Sequence, residues 1–372
     1  MNPYKRYSFF RVVFKGFRKS QVKTIAWVVM AILEAGQGRL NAVGRAMARL
    51  RGMRLGSGIN RVWRLLANER VDWREGWTAG LLGFFGHGRR VLLVSLDWTH
   101  WGNVMQVLAA MVVVGKRAIP VMVEAFWKEA PRWSQNVWEE HFGWQLVQAQ
   151  RRAGVETVWL CDRGFHRLAW LERLIQWRQA FIVRINDDLV VWRGNVRWKR
   201  LREMGLEPGN WCDLGWVWLG TERRVRVRVI GVWDKCQKEP WWLATTLDVA
   251  APLVVAWYDR RMTIEEAFRD TKGCRYGLQL RWSQFRTPDH LARMMLLVGL
   301  ALLLATAVGQ WTRQHLPRLS FFDTCYTLWR LGIESFRYGW RKIPLSARWI
   351  RRHLPDPAVR NFDWITATEK LS

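Results

Sequence analysis

The sequence predicts a mixed α/β chain, and three features support that prediction. Residues 1–88 show mostly helical patterns. From about residue 89, β-branched and aliphatic runs typical of strands alternate with helical patterns. A later segment, 187–247, shows strand patterns alone. The chain therefore combines a helical part, an α/β part and an all-β part.

The chain is strongly basic along its whole length. Its 372 residues contain 59 Lys and Arg against 31 Asp and Glu, a formal net charge of +28. Such an excess in a chain that is half apolar indicates a polyanionic partner, and double-stranded DNA is the first candidate. A ribosomal-type scaffold and a basic membrane-surface protein are the alternatives.

The cysteines and the apolar segments indicate the cellular location of the protein. Five cysteines without C-x2-C pairing argue against a disulfide framework and a zinc site, and they predict a cytoplasmic protein. Residues 291–308 are apolar enough for a membrane span, but the segment is isolated and contains Arg293. We expect a buried helix there, and no membrane partner.

The N-terminal part is predicted to be helical and to bind DNA. Ser57 could cap the last of three predicted helices, which are 21–34, 40–50 and 58–68. The turn at 52–56 would join two of them in a helix-turn-helix-like unit, with Arg61 and Arg64 as candidate DNA contacts. The alternative is a small helical bundle with a solvated basic face.

The next part has the order β-β-β-α-β-α-β, with a hairpin turn at Gly115-Lys116. Asp97 closes the first strand and Asp162 the fourth. This is the order of a ribonuclease-H-like fold, in which the first and fourth strands are neighbours, so both acids should lie at adjacent strand ends. The predicted elements are strands 91–97, 104–114, 118–126, 155–162 and 180–185, and helices 137–152 and 167–177.

The all-β segment is predicted to be an insertion between this core and a later helix that carries Glu265. Within it, residues 224–229 alternate arginine and valine, which indicates a half-buried strand with an arginine face. We predict a helical DNA-binding domain, a two-part core interrupted by the insertion, and a C-terminal helical region. The DNA-binding domain is predicted to span 1–88, and the two parts of the core 89–186 and 248–312. The insertion would span 187–247, and the C-terminal helical region 313–372.

The helix with Glu265 combines acidic and basic side chains at a defined spacing. Residues 263–266 fit a capping box, which predicts a helix start. If the helix begins earlier, Tyr258, Arg261, Glu265 and Lys272 share one face. Carboxylates from two strand ends and this helix could converge on two Mg²⁺ ions, which would clamp the oxygens of a phosphodiester displacement. Taken alone, the pattern also fits a surface helix with many ion pairs.

Three motifs together resemble the insertion-sequence-four family of bacterial DDE transposases. The spacing Tyr-x2-Arg-x3-Glu-x6-Lys over 258–272 resembles the family signature. Residues 162–167, Asp-Arg-Gly-Phe-His-Arg, resemble its second-aspartate motif, and residues 95–99, Ser-Leu-Asp-Trp-Thr, resemble its first. The resemblance covers roughly residues 20–310.

The resemblance implies roles for individual residues. Asp97, Asp162 and Glu265 would be catalytic and would bind two Mg²⁺, with Mn²⁺ able to substitute. Further DNA contacts would be Tyr258, Arg261, Lys272 and Arg163, together with either Trp241 or Trp242, which would stack on a base flipped out of the transposon end.

The implied activity is cut-and-paste transposition. It would proceed by strand nicking, hairpin formation, hairpin opening and strand transfer, on a homodimer that joins two DNA ends in the bacterial nucleoid. One alternative is a metal-dependent nuclease of the same fold that never joins strands. Another is a non-catalytic DNA-binding regulator derived from a transposase, although the intact acidic triad argues against it.

Overall fold

The computed structural model describes residues 8–88, 91–129, 133–275, 277–315, 327–338 and 345–355. Ten strands form one sheet within these residues. They are β1 (Val91–Trp101), β2 (Met105–Val114), β3 (Arg117–Trp127), β4 (Glu156–Cys161), β5 (Ala180–Ile185), β6 (Val190–Arg193), β7 (Val196–Arg200), β8 (Trp211–Leu219), β9 (Val225–Val232) and β10 (Trp241–Thr245).

Helices precede, separate and follow these strands. They are α1 (Ser8–Val13), α2 (Lys19–Ala35), α3 (Leu40–Arg51), α4 (Leu55–Leu66), α5 (Glu75–Gly86), α6 (Gln135–Ala153), α7 (Leu168–Gln176), α8 (Ala251–Asp259), α9 (Thr263–Lys272), α10 (Pro288–His315), α11 (Leu328–Tyr338) and α12 (Ala347–His353). The predicted C-terminal helical region lies partly outside the described residues, because 316–326, 339–344 and 356–372 do.

The strand order confirms the α/β, ribonuclease-H-like fold class. The sheet runs β3-β2-β1-β4-β5-β10-β9-β8-β6-β7. β1, β2 and β3 are antiparallel neighbours, whereas β1, β4 and β5 are parallel. Helices α6 and α7 precede β4 and β5, respectively, in the chain. The inserted β-strands continue this sheet, because β10 hydrogen-bonds to β5 on one side and to β9 on the other.

Two apolar clusters cover the faces of the sheet. The larger includes side chains from the N-terminal helices, α10 and one sheet face, and the smaller packs α8 against the other face. Helix α10 alone among the described helices is long and apolar enough to cross a membrane. It is nonetheless buried inside the protein, where it packs against β3, α2 and α11, as the sequence predicts for 291–308.

Three local expectations were wrong. Strand β1 does not end at Asp97 but continues to Trp101, because its hairpin with β2 extends beyond β4. Ser57 does not cap a helix, since α4 already begins at Leu55. Helix α9 does begin at Thr263, but without a capping box: the chain enters it from a 3₁₀ turn, and the Thr263 hydroxyl donates to the carbonyl oxygen of Arg260.

Helices α3 and α4 are joined by three residues and pack closely at two glycines. A Cβ atom added to Gly58 would overlap the carbonyl oxygen of Gly44, and one added to Gly44 would overlap Ile59. The pairing of glycines therefore permits a backbone approach that no larger side chain would allow. Arg61 and Arg64 are exposed on α4.

Candidate active site

Asp97 and Asp162 are brought together by the parallel pairing of β1 and β4. Leu96 lies opposite Cys161 in the sheet register, and each aspartate is the next residue. The sequence prediction that these acids occupy neighbouring strands is therefore confirmed. On its other side, Asp97 lies opposite Ala109 of β2 in the antiparallel pairing.

The second-aspartate segment, 162–167, has a structural role for most of its residues. Asp162 precedes a 3₁₀ turn, and its Oδ1 accepts a 2.8 Å hydrogen bond from the Gly164 amide. A Cβ atom on Gly164 would lie 2.9 Å from that oxygen, so glycine keeps the carboxylate in place. Phe165 is buried in the core. His166 uses both ring nitrogens locally, with the Arg163 carbonyl and the Asn186 amide as partners.

Arg167 connects this segment to a buried carboxylate that the sequence analysis missed. Its Nη2 donates to Oε2 of Glu139, on α6, at 2.6 Å, and Glu139 is only 1% exposed. The other oxygen of Glu139 accepts a 2.9 Å hydrogen bond from the indole of Trp98, the residue after Asp97. Glu139 thus ties the two aspartate segments together. A sequence signal existed, because Glu139 shares the 3–4 spacing of the buried residues Phe142 and Leu146.

Arg261 connects the first aspartate to the helix of the third acid. Its Nη2 lies 2.8 Å from Oε1 of Glu265, and its Nη1 lies 3.3 Å from Oδ2 of Asp97. Arg261 is itself buried in the 3₁₀ turn that precedes α9. The guanidinium therefore bridges two carboxylates that come from segments more than 160 residues apart in the chain.

Asp97 is held in an environment that favours its neutral form. Burial, and next the negative charge of Asp162, raise the pKa of Asp97 to about 7. Arg261 and the hydrogen bond from the Trp98 amide act in the opposite direction. The carboxylates are thus short of positive charge, and a further cation beside them would be stabilised.

Lys272 lies at the far end of α9 and reaches the extension of β1. Its ammonium donates to the hydroxyl of Thr99 and, at 2.7 Å, to the carbonyl oxygen of His100. It also lies over the ring of Trp101, 5.8 Å from the ring centre. Burial, and next the positive charge of Arg281, lower the pKa of Lys272 to about 8.

Tyr258 does not share a helix with the other signature residues. It lies at the end of α8, buried in the smaller apolar cluster, and burial raises the pKa of its phenol. Its ring packs edge-to-face on Trp241, with centroids 5.2 Å apart. Trp242 points to the other face of the sheet and is buried in the larger cluster. Of the two tryptophans, Trp241 is thus the one beside the signature residues.

Part of the sequence matches a known protein family. Residues 132–304 match the family described as a transposase DDE domain. The chain carries a transposase DDE domain. The matched span includes Asp162 and the whole signature over 258–272, while Asp97 lies upstream of it. No curated protein matches the chain.

The three candidate acids, Asp97, Asp162 and Glu265, do not form a ready-made metal centre. Among the described residues, no group of three or more His, Cys, Asp or Glu side chains is close enough to hold a metal ion. The reason lies in the contacts of the acids, since Arg261 stands between Asp97 and Glu265 and one oxygen of Asp162 is engaged by Gly164. The donor set nevertheless suits a hard divalent cation, because it consists of carboxylates with uncompensated negative charge.

The other predicted DNA contacts, Arg163, Arg61 and Arg64, take no part in the ion pairs that join Arg261 to Asp97 and Glu265. Arg163 is exposed and pairs with Glu239 at 3.2 Å. Arg61 and Arg64 are exposed on α4 and line a cleft of about 450 Å³ with the start of α2. Burial, and next the charge of Arg61, lower the pKa of Arg51.

Proposed function

We propose that the protein is a cut-and-paste DNA transposase of the insertion-sequence-four type, with Asp97, Asp162 and Glu265 as its catalytic acids. The observation that carries the proposal is the meeting of Asp97, Arg261 and Glu265, with Asp162 directly after the neighbouring strand. Three motifs recognised separately in the sequence thereby meet around one charged centre. A surface helix with incidental ion pairs would not bring them together.

The three carboxylates would hold two Mg²⁺ ions, with Mn²⁺ as a substitute. When bound, such ions supply Lewis-acid stabilisation of the charge that develops on the phosphate. Arg261 would then exchange its carboxylate partners for a DNA phosphate, which its guanidinium binds equally well. Lys272 and the phenol of Tyr258 would hold the neighbouring phosphates of the DNA end.

The reaction would consist of four displacements at phosphorus in one site. Water attacks the phosphodiester at the transposon end and releases a 3′-OH. That 3′-OH attacks the opposite strand and closes a hairpin, water opens the hairpin, and the 3′-OH finally attacks target DNA. In each step one P–O bond forms as another breaks, so the same residues serve all four. Two ends must be joined, and we infer a homodimer on DNA, with the helices of 1–88 contributing to end binding in the bacterial nucleoid.

The test uses the full chain and linear DNA that carries the inverted repeats flanking its gene. Asp97→Asn, Asp162→Asn and Glu265→Gln should each abolish Mg²⁺-dependent nicking while binding to the ends persists. Glu266→Gln is the matched control, because it is the adjacent carboxylate of α9 and pairs with Arg269 instead. Near-normal cleavage by any of the three variants would remove that acid from the site.

The products distinguish the alternatives. Hairpin ends followed by joined target DNA support transposition. Nicked DNA without joining would support a nuclease, and end binding without any cleavage would support a regulator.

A further inference from the structure

A second group of cations and aromatic rings lies beside the active site, at the 3₁₀ turn Leu280–Trp282. On one side of the turn, Arg281 lines a cavity of about 180 Å³ with Lys272 and Trp101. On the other side, Trp282 lines a cavity of about 490 Å³ whose wall also includes Trp63 and three arginines, Arg39, Arg45 and Arg286. Since Arg281 and Trp282 are consecutive, only this turn separates the second cavity from the surroundings of Lys272.

Trp282 is unusually open for a tryptophan. Its exposed fraction is 57%, and the guanidinium of Arg39 lies 5.3 Å from its ring centre. A large ring left in solvent beside a cation forms a stacking surface, because every nucleic-acid base presents a π-face to it. Burying this ring against a base would remove apolar area from water.

Four arginines lie close to Trp282 along the chain or in the cavity wall. Within the described part of the chain, no ion pair joins Arg39, Arg45, Arg281 or Arg286 to a carboxylate. Arg281 instead faces another cation, and its charge contributes to the lowered pKa of Lys272. A cluster of like charges is destabilising unless an anion lies among them, and a DNA backbone supplies one phosphate per nucleotide.

The walls of the second cavity are held together by backbone hydrogen bonds. The amide of Gly38 donates to the carbonyl oxygen of Leu278 at 2.6 Å. The amide of Leu40 donates to the hydroxyl of Ser283 at 3.3 Å. These bonds fix the loop between α2 and α3 against the segment that follows α9. The cavity is thus a preformed groove between the N-terminal helices and the segment that follows α9.

We propose that this Trp282 groove, formed by Arg39, Arg45, Trp282 and Arg286, binds the DNA strand beside the scissile phosphate, with Trp282 stacked on an unpaired base. The inference rests on the proposed function, since it takes DNA as the ligand. The groove is separate from Trp241, which lies on the other side of the acids in strand β10. Arg281 links the groove to Lys272, so a strand held at Lys272 continues into it.

The first experiment measures binding of a fluorescein-labelled 20-nucleotide single strand to the full chain by anisotropy. Trp282→Ala should weaken binding about 5- to 150-fold, as the loss of one stacked base predicts at about 1–3 kcal/mol. Trp144→Ala is the matched control. Trp144 is also exposed and also carries an arginine over its ring, since Arg151 lies 5.5 Å from the ring centre.

The second measurement locates the contact. Arg281→Ala and Arg45→Ala should each reduce the slope of log affinity against log salt by about 0.7, the value for one phosphate contact on a single strand. A strand carrying 5-iodouracil should cross-link under light to the peptide that contains Trp282.

The outcomes separate this inference from the proposed function. If the wild-type protein shows no salt-dependent DNA binding, the proposed function fails, and this inference fails with it. If the wild type binds and cleaves DNA while Trp282→Ala binds within twofold of Trp144→Ala, only the Trp282 groove is excluded. A weakened Trp282→Ala together with the cross-link supports the groove.

Discussion

Arg261 and Glu265 form an ion pair one helical turn apart, with Nη2 of the arginine 2.8 Å from Oε1 of the glutamate. The same guanidinium reaches Asp97, so the pair links the signature helix to the strand of the first acid. The arginine therefore balances the acids of the protein when no divalent ion is bound. We therefore expect the stability of the protein to depend both on Arg261 and on bound divalent ions.

Arg261→Gln should destabilise the protein in the absence of divalent ions. The change leaves two carboxylates without their shared cation, and we expect a loss of about 1–3 kcal/mol in the free energy of unfolding, measured with urea. Mg²⁺ should raise the melting temperature of Arg261→Gln more than that of the wild type, because the guanidinium no longer competes for the acids. Arg260→Gln is the control, since Arg260 is exposed in the same turn. Equal stability of the two variants would contradict the prediction.

Glu139→Ala should be far more damaging than Glu140→Ala. Both glutamates lie on α6 and pair with an arginine, but Glu139 is buried and Glu140 is not. Removing Glu139 leaves Arg167 without its partner in the interior, which costs about 3–5 kcal/mol. Removing Glu140 from its exposed pair should cost at most about 1 kcal/mol. Thermal unfolding of both variants gives the comparison, and similar melting temperatures would argue against a structural role for Glu139.

Asp270 should make stability fall with rising pH. Burial raises its pKa from 3.8 to about 6 in the folded protein, although Arg117 lies 2.9 Å away and opposes the shift. The folded state therefore keeps the Asp270 proton over a range in which the unfolded chain has lost it. This contribution is fully present below about pH 4 and is lost as the pH rises through 6, at no more than about 1.4 kcal/mol per pH unit.

The measurement is the free energy of unfolding of the wild type and of Asp270→Asn between pH 4 and 7. The free energy of unfolding of the wild type minus that of Asp270→Asn should fall as the pH rises, whereas Asp188→Asn, at an exposed position, should track the wild type throughout. A constant difference between wild type and Asp270→Asn would show that Asp270 does not titrate in this range.

Lys272→Arg should change the pH profile of DNA cleavage. The ammonium of Lys272 has a pKa of about 8, so its charge and its hold on phosphate weaken as the pH rises above that value. A guanidinium stays charged. We expect the variant to be less active than the wild type at pH 7, because the planar guanidinium fits the site of an ammonium poorly. It should nevertheless retain its rate up to pH 9. Parallel profiles would mean that another group limits the reaction.

The sequence predicted the framework of the site better than its contacts. The pairing of Asp97 with Asp162 followed from strand order alone, and β5 was predicted with its observed ends at Ala180 and Ile185. The ion pair between Arg167 and Glu139 joins two separate segments of the chain. The hydrophobic periodicity of each segment predicts its secondary structure but not which side chains of the other it contacts. The place of Arg261 between two acids likewise depends on the 3₁₀ turn before α9, which helical spacing does not encode.

The hydrogen bonds between β5 and β10 set a distance as well as a topology. Trp242 lies opposite Ile185, and side chains alternate along a strand, so a shift of one residue in this pairing would exchange Trp241 and Trp242 between the two faces. From β1 to β10 there are three interstrand steps of about 4.8 Å each. The strand pairing thus fixes the distance between Trp241 and the strand of Asp97. A group bound to Trp241 would lie roughly 14 Å across the sheet from that strand. A single-residue deletion in β10 should therefore displace both tryptophans at once, because Trp242 would leave the larger apolar cluster as Trp241 entered it.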